Sequence, residues 1–339
     1  MPAPISTSPR SLGLPAIDPA LEAELADSLE EVERRLRDDV TSEFGLVTDA
    51  ARHLVDAGGK RFRPMLALLG AQFGDPARHG VVEAAVVVEL THLASLYHDD
   101  VMDDATLRRG APSANVRFGN SVSILVGDFL FARAAARTAE LGADAVLLQA
   151  RTFERLVVGQ VRETAGPGAG DPLEHYLAVL ADKTGSLIAT SGRLGALQAG
   201  ASEQVADTLT RFGELIGVAF QLADDLLDVE AESQASGKAV GTDLREGVAT
   251  LPVLWFRRVA DPADPADARL AELLDGDLGD DARLAEAVAL LRAHPAIEQA
   301  RADLVRWSED ARAVLADLPD VPARAALEAL CDAVVQRTG

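Results

Sequence analysis

Basic residues, aromatics and cysteines are all scarce in this chain of 339 residues. Lys and Arg number 32 against 54 Asp and Glu, a net charge of −22, and a surface of that sign repels a phosphate backbone. Nucleic-acid binding is not expected. The single cysteine, Cys331, leaves no intramolecular disulfide, and the opening MPAPISTSPR has no apolar signal core, so the expected compartment is the reducing cytoplasm. The most apolar stretches, Val81 to Tyr97 and Ser121 to Ala136, are broken by Glu83, Glu89, Asp128 and Arg133. Neither offers the ~20 clean apolar residues that cross a bilayer, so no membrane span is expected.

Aromatics at 4% and the near absence of two-residue alternation argue against sheet, while Ala, Leu, Val, Glu and Arg recur at helical spacing. The reading is an all-α, single-domain bundle of about ten or more helices. Leu21, Leu25, Leu29, Val32 and Leu36 mark an amphipathic helix after a loose segment at residues 1–19, and residues 20–339 are read as one domain. Further helices are expected at Phe62 to Phe73, Val81 to Asp104, Val122 to Leu141, Ala143 to Arg162, Pro172 to Gln198 and Glu203 to Val229, with a last set from Asp267. Gly, Pro, Asp and Ser punctuation places loops at Gly166 to Pro172, Glu230 to Asp243 and Asp261 to Ala266.

Two carboxylate clusters carry the chemistry. His98-Asp99-Asp100-Val101-Met102-Asp103-Asp104 closes one apolar helix, and Asp224-Asp225-Leu226-Leu227-Asp228 closes another with the same i, i+1, i+4 spacing. At ~100° per residue, Asp99 and Asp103 lie about 40° apart on one face with Asp100 beside them. Carboxylates at a helix C-terminus meet the negative end of its dipole, an arrangement that divalent cations relieve. Either cluster alone also reads as a solvated acidic helix end; the matched pair favours metal. With oxygen donors only and no zinc-like Cys or His spacing, Mg²⁺ fits better than Zn²⁺, and Mg²⁺ completes its shell with water and substrate phosphate.

In so acidic a chain the basic clusters stand out: Gly58-Gly59-Lys60-Arg61-Phe62-Arg63-Pro64, and Arg108-Arg109-Gly110 just after the first acidic cluster. Arg forks and Lys point charges suit diphosphate oxygens. Each cluster alone also reads as ordinary loop solvation, as do Lys183-Thr184, Gln221 and Gly237-Lys238.

From Gly58 to Pro252, these motifs in this order and spacing resemble the trans-isoprenyl diphosphate synthases, or polyprenyl synthetases. The resemblance implies the all-α isoprenoid synthase fold around a central substrate cavity, a homodimer, and condensation of isopentenyl diphosphate onto an allylic diphosphate. Carried across by position, Gly59, Lys60, Arg63, His92 and Arg109 are expected at the isopentenyl diphosphate site. Arg108, Lys183, Thr184, Gln221 and Lys238 are expected at the allylic site, with Arg108, Lys183 and Lys238 as the catalytic cations. Asp99, Asp103 and Asp224 are expected as direct ligands of three Mg²⁺ ions, for which Mn²⁺ substitutes, and Asp100, Asp104, Asp225 and Asp228 as their supports. One departure is visible: the family's Gly-Lys before Thr-Leu-Pro reads Gly247-Val248 here, which removes one outer cation.

Ionisation of the allylic diphosphate leaves negative charge for metals and cations, and an allylic cation that apolar walls must keep from water. Leu96, Leu125, Leu156 and Val157 are expected on those walls. Bulky residues four and five positions before the first aspartate close the cavity in this family, and those positions hold the small Ser95 and Ala94. A long product of about seven to ten isoprene units for quinone side chains is therefore expected, with peripheral membrane contact for its release; ideal helix geometry puts Ser95 one turn below Asp99. The alternatives are a short-chain farnesyl or geranylgeranyl synthase, a terpene cyclase and a non-catalytic partner subunit. Asp224, Asp225 and Asp228 argue against the cyclase, and the retained carboxylates and cations against the inactive partner.

Overall fold

A computed structural model of the chain describes residues 18–230 and 240–337. Among them, sheet is confined to one hairpin, β1 (Leu107–Arg108) and β2 (Ala111–Pro112), paired antiparallel. The remaining elements are helical: α1 (Pro19–Asp39), α2 (Gly45–Asp56), α3 (Phe62–Ala71), α4 (Gly80–Met102), α5 (Ala114–Phe118), α6 (Asn120–Glu140), α7 (Ala143–Ala165) and α8 (Pro172–Leu180). They continue as α9 (Ser186–Gln198), α10 (Glu203–Glu230), α11 (Thr242–Arg245), α12 (Leu251–Val259), α13 (Pro265–Leu274), α14 (Asp281–Ala293), α15 (Ala296–Val314) and α16 (Pro322–Gln336). Of the expected loose segment, residues 1–17 lie outside the described residues, whereas Asp18 caps α1 by accepting from the backbone N–H groups of Ala20 and Leu21 at 3.0 Å.

The described residues fall into two units. The first comprises those up to Glu154, Leu187–Gly213 and Leu315–Ala329. Its centre is α4, whose Ala84 to Val88, Leu90, Leu93, Ala94 and Tyr97 are buried, packed against α6, α3 and α1. By length and composition α4 also passes as a membrane span, yet its most apolar window is 72% buried in protein, as expected of a core helix. The expected stripe on α1 is present, with Leu21, Leu25, Val32 and Leu36 buried.

The second unit comprises Arg155–Ser186, Glu214–Val314 and the described residues from Leu330 onward. Val229, Leu244, Val253, Phe256, Leu273 and Leu291 form its core, and α12 packs against α15 and α8. The helix expected at Pro172 to Gln198 is interrupted: Ala181–Gly185 forms a π turn between α8 and α9. Such turns splay the backbone for a few residues and frequently mark functional sites. This one carries Asp182, Lys183 and Thr184.

Candidate active site

In the first unit, a glycine turn and the hairpin lock together. Arg109, with φ at 54°, donates from Nη1 to the carbonyl oxygens of Leu54, at 3.0 Å, and Gly58. A Cβ on Gly59, whose φ is 150°, would lie 3.0 Å from the Arg109 guanidinium, so conformation and space both require glycine there. The three cations of the Lys60 to Arg63 run separate in role. Arg61 is buried and spent on structure, pairing with Glu33 and, at 2.7 Å, with Glu89. Lys60 is exposed and Arg63 half-buried.

Arg63, Arg108, Arg109 and His92 share one electrostatic neighbourhood. Burial pulls the Arg63 guanidinium down to about 10, against the opposing pull of Glu89. Its Nε is buried with no hydrogen-bond partner among the described residues, an orphan donor of the kind an anionic ligand satisfies. Burial, followed by the surrounding arginines, holds His92 well below the ordinary imidazole value. The ring is therefore neutral at pH 7 and can donate a hydrogen bond without adding charge.

At the C-terminal end of α4 the aspartates divide their work. Asp100 is fully buried; its Oδ1 accepts from Arg108 Nε at 2.7 Å and its Oδ2 from the Ala114 backbone at 3.3 Å. Asp99 is half-buried and Asp103 exposed, one turn apart, with the Asp103 N–H bonded to the Asp99 carbonyl at 2.8 Å. Asp104 is exposed with φ at 48°. Deeper in α4, Ser95 is half-buried, with its hydroxyl donating to the His92 carbonyl at 2.8 Å, and Ala94 is completely buried.

The second unit repeats this division. Asp225, 2% exposed, accepts from the Tyr176 hydroxyl and from the Leu251 backbone at 3.3 Å. Burial, reinforced by Asp243, pushes its carboxyl up to about 7, and Gln221 and Tyr176 pull the other way. Asp228 accepts from the N–H groups of Thr242 at 3.1 Å and Asp243 at 3.0 Å, fastening the start of α11. Asp224 faces outward and pairs with Arg337 at 2.8 Å. In the π turn, Lys183 Nζ lies 2.6 Å from Glu163 of α7, and Asp182 holds Arg155 and Arg162. The turn approaches α7 so closely that a Cβ on Gly159 would stand 2.8 Å from the Lys183 nitrogen. Thr184 and Gln221 are half-buried and Val248 is exposed. Lys238 lies outside the described residues.

Among the described residues no group of three or more His, Cys, Asp or Glu side chains suited to a metal forms. Pairs and single carboxylates at helix ends, all oxygen donors, fit an ion that takes one or two protein ligands and fills its shell with water and phosphate, as Mg²⁺ does. Of the four expected wall residues, Leu96 and Leu156 are half-buried, while Leu125 and Val157 lie on exposed faces of α6 and α7. Leu125 falls off the buried stripe of α6, which runs through Val126, Leu130, Ala134 and Thr138. Sequence reasoning missed Tyr176, Glu163 and Arg337, each of which reaches its aspartate or lysine partner from a distant part of the chain.

The family model described as polyprenyl synthetase matches residues 45–291. The chain belongs to the polyprenyl synthetase family. This family member is 49% identical over 315 residues to the nonaprenyl diphosphate synthase of Mycobacterium tuberculosis, covering 92% of this chain and 91% of that protein. Among solved structures it matches a geranylgeranyl pyrophosphate synthase from Corynebacterium glutamicum, complexed with calcium and isoprenyl diphosphate, at TM-score 0.86 and 45% identity, over 95% of this chain and 98% of that one. A decaprenyl diphosphate synthase from Rhodobacter capsulatus matches at TM-score 0.84 and 35% identity, over 94% and 99%. The all-α fold expected from the sequence is thus the isoprenoid synthase fold, and this polyprenyl synthetase is a prenyltransferase.

Proposed function

We propose that the chain condenses isopentenyl diphosphate with an allylic diphosphate, in a Mg²⁺-dependent reaction, to make an all-trans polyprenyl diphosphate of long chain, with residues 20–339 acting as one catalytic domain. The observation that carries this reading is the division of labour in both aspartate clusters. Asp100 and Asp225 are buried and held by Arg108 and Tyr176, and Asp228 fastens the start of α11, while Asp99, Asp103 and Asp224 are less deeply buried than Asp100 and Asp225. Asp99 and Asp103, and separately Asp224, would hold the metal, three ions in all, with Asp104 as a further support. Bound there, the ions neutralise charge on the departing diphosphate.

Lys60, Arg63, His92 and Arg109 hold isopentenyl diphosphate beside the Gly59 turn, with the orphaned Arg63 Nε and the neutral His92 as donors. Arg108, fixed through Nε by Asp100, keeps its terminal nitrogens for the allylic diphosphate, which Lys183, Thr184, Gln221 and Lys238 also bind. These cations favour ionisation because they meet charge that grows in the transition state. The isopentenyl double bond attacks the allylic cation, and the released diphosphate takes the proton that is lost.

Homodimerisation is supported by exposed apolar side chains of the first unit, Ile124 and Leu125 on α6 and Val146, Leu147 and Phe153 on α7, of the kind that marks an interface. The setting we propose is cytoplasmic, with peripheral membrane contact for product release. The half-buried Ser95 and the similarity to nonaprenyl and decaprenyl synthases support a long product. A second reading, geranylgeranyl length, draws on the Corynebacterium similarity and on Thr91, fully buried two turns before Asp99 and sealed by Gln149 Nε2 at 2.5 Å. Incubating the purified chain with labelled isopentenyl diphosphate and each allylic primer, then sizing the dephosphorylated products, separates the two. Failure to incorporate label with any primer would refute both.

A further inference from the structure

Arg337, one residue beyond α16, lies against half-buried Phe220 and Asp224 of α10. Its Nη2 lies 2.8 Å from Asp224 Oδ1, and its guanidinium carbon 4.6 Å from the centroid of the Phe220 ring. Phe220 and Asp224 are one turn apart on that helix, so one planar cation covers both. Arg337 Nη1 is buried with no hydrogen-bond partner among the described residues. Asp225 is held by Tyr176, and Asp228 accepts from backbone groups, whereas the Asp224 carboxylate pairs with the partly exposed Arg337 guanidinium.

A guanidinium against this carboxylate opposes a dication there, because like charges a few ångströms apart repel. The pair is also easily exchanged: the two side chains are 30% and 38% exposed, and exposed pairs hold weakly. The stack on Phe220 retains the guanidinium nearby when the carboxylate is taken, and its unsatisfied Nη1 and fork geometry suit a phosphate oxygen. Building on the proposed metal role of Asp224, we propose that Arg337 is an exchangeable counter-ion. It holds Asp224 in the resting enzyme, yields it to the divalent cation, and pairs with the diphosphate that arrives, so metal occupancy at Asp224 is coupled to diphosphate. A merely structural Arg337 would instead anchor the end of α16 to α10.

The test is Mn²⁺ binding to the full chain, followed by electron paramagnetic resonance with and without inorganic diphosphate. Attention goes to the Mn²⁺ population that Asp224→Asn removes. In Arg337→Ala, Mn²⁺ alone should bind that site about fivefold tighter than in the wild type, the size expected for loss of one weak ion pair, and the gain produced by diphosphate should shrink. Equal Mn²⁺ affinity in the two proteins, or an undiminished diphosphate effect, overturns the proposal. So does a lowered melting temperature with unchanged Mn²⁺ binding, which marks an anchor. If Asp224→Asn removes no Mn²⁺ population, the metal role of Asp224 is what fails; if it does and Arg337→Ala changes nothing, only the counter-ion role falls.

Discussion

The Tyr176 hydroxyl donates to Asp225 Oδ2, binding α8 to the second aspartate cluster on α10. The carboxylate also accepts from the Leu251 N–H, so three elements, α8, α10 and α12, meet on one buried acid. Tyr176→Phe keeps the ring and removes only the donor. A buried acceptor that loses a partner costs about 1–3 kcal/mol, so the urea midpoint of unfolding should fall. An unchanged midpoint would count against the hydrogen bond.

The acidic helix ends are readable from the sequence because period and composition act within one helix: an i, i+1, i+4 aspartate set after an apolar run projects to one end whatever surrounds it. The helical class is readable for the same local reason. Tyr176, Glu163 and Arg337 are not, since each reaches its partner from an element distant in sequence. The π turn at Ala181–Gly185 is hidden too: Ala, Asp, Lys, Thr and Gly carry no signature that separates one wide turn from a regular helix. Arg61 shows the converse limit. It sits in a basic run that reads as a binding loop, and only tertiary contact with Glu33 and Glu89 assigns it to the interior.

The two kinds of aspartate should separate experimentally. Asp99→Ala and Asp224→Ala should each lower kcat by about 100-fold or more, the scale of losing a charge-stabilising group in the transition state, with the melting temperature nearly unchanged. Asp100→Ala should also destabilise, because it strands Arg108. Breaking a buried pair costs ~3–5 kcal/mol, and the 28% exposure of Arg108 puts the expectation at the low end. Circular dichroism melts beside initial rates check both; a normally stable Asp100→Ala protein contradicts the assignment.

The two diphosphate sites should respond differently to loss of a cation. Arg63→Ala is expected chiefly to raise KM for isopentenyl diphosphate, while Lys183→Ala, which deletes the cation paired with Glu163, should lower kcat by impairing allylic ionisation. Interchanged effects in steady-state kinetics would reverse the assignment.

His92 predicts a pH dependence of stability. Its folded value lies well below the ordinary 6.5, so on acidification the unfolded chain takes up this proton first. Stability from this group is therefore complete above the unfolded value and declines as pH drops below it, at no more than about 1.4 kcal/mol per pH unit for one proton. Replacing His92 with Gln should flatten the dependence of unfolding free energy on pH between about 6.5 and 5. An identical slope in both proteins would mean that His92 takes up its proton equally in the folded and unfolded states.

Product length is where Ser95 and Ala94 part company. Ala94 is completely buried on α4, the central helix of the first unit, so a larger side chain there meets packed core. Ala94→Phe should overpack the core at a cost of about 1–3 kcal/mol and lower the melting temperature. Ser95 is half-buried and carries only a hydroxyl turned onto the His92 carbonyl, so a ring there has somewhere to go. If the growing chain descends α4 from Asp99, Ser95→Phe places that ring about 5.4 Å, one turn, below the aspartate and stops elongation after few additions. The folded, active variant should then release farnesyl or geranylgeranyl products, resolved by chromatography after dephosphorylation. An unchanged long-chain distribution would mean that the chain does not pass Ser95, and the limit to growth must then be sought on another helix.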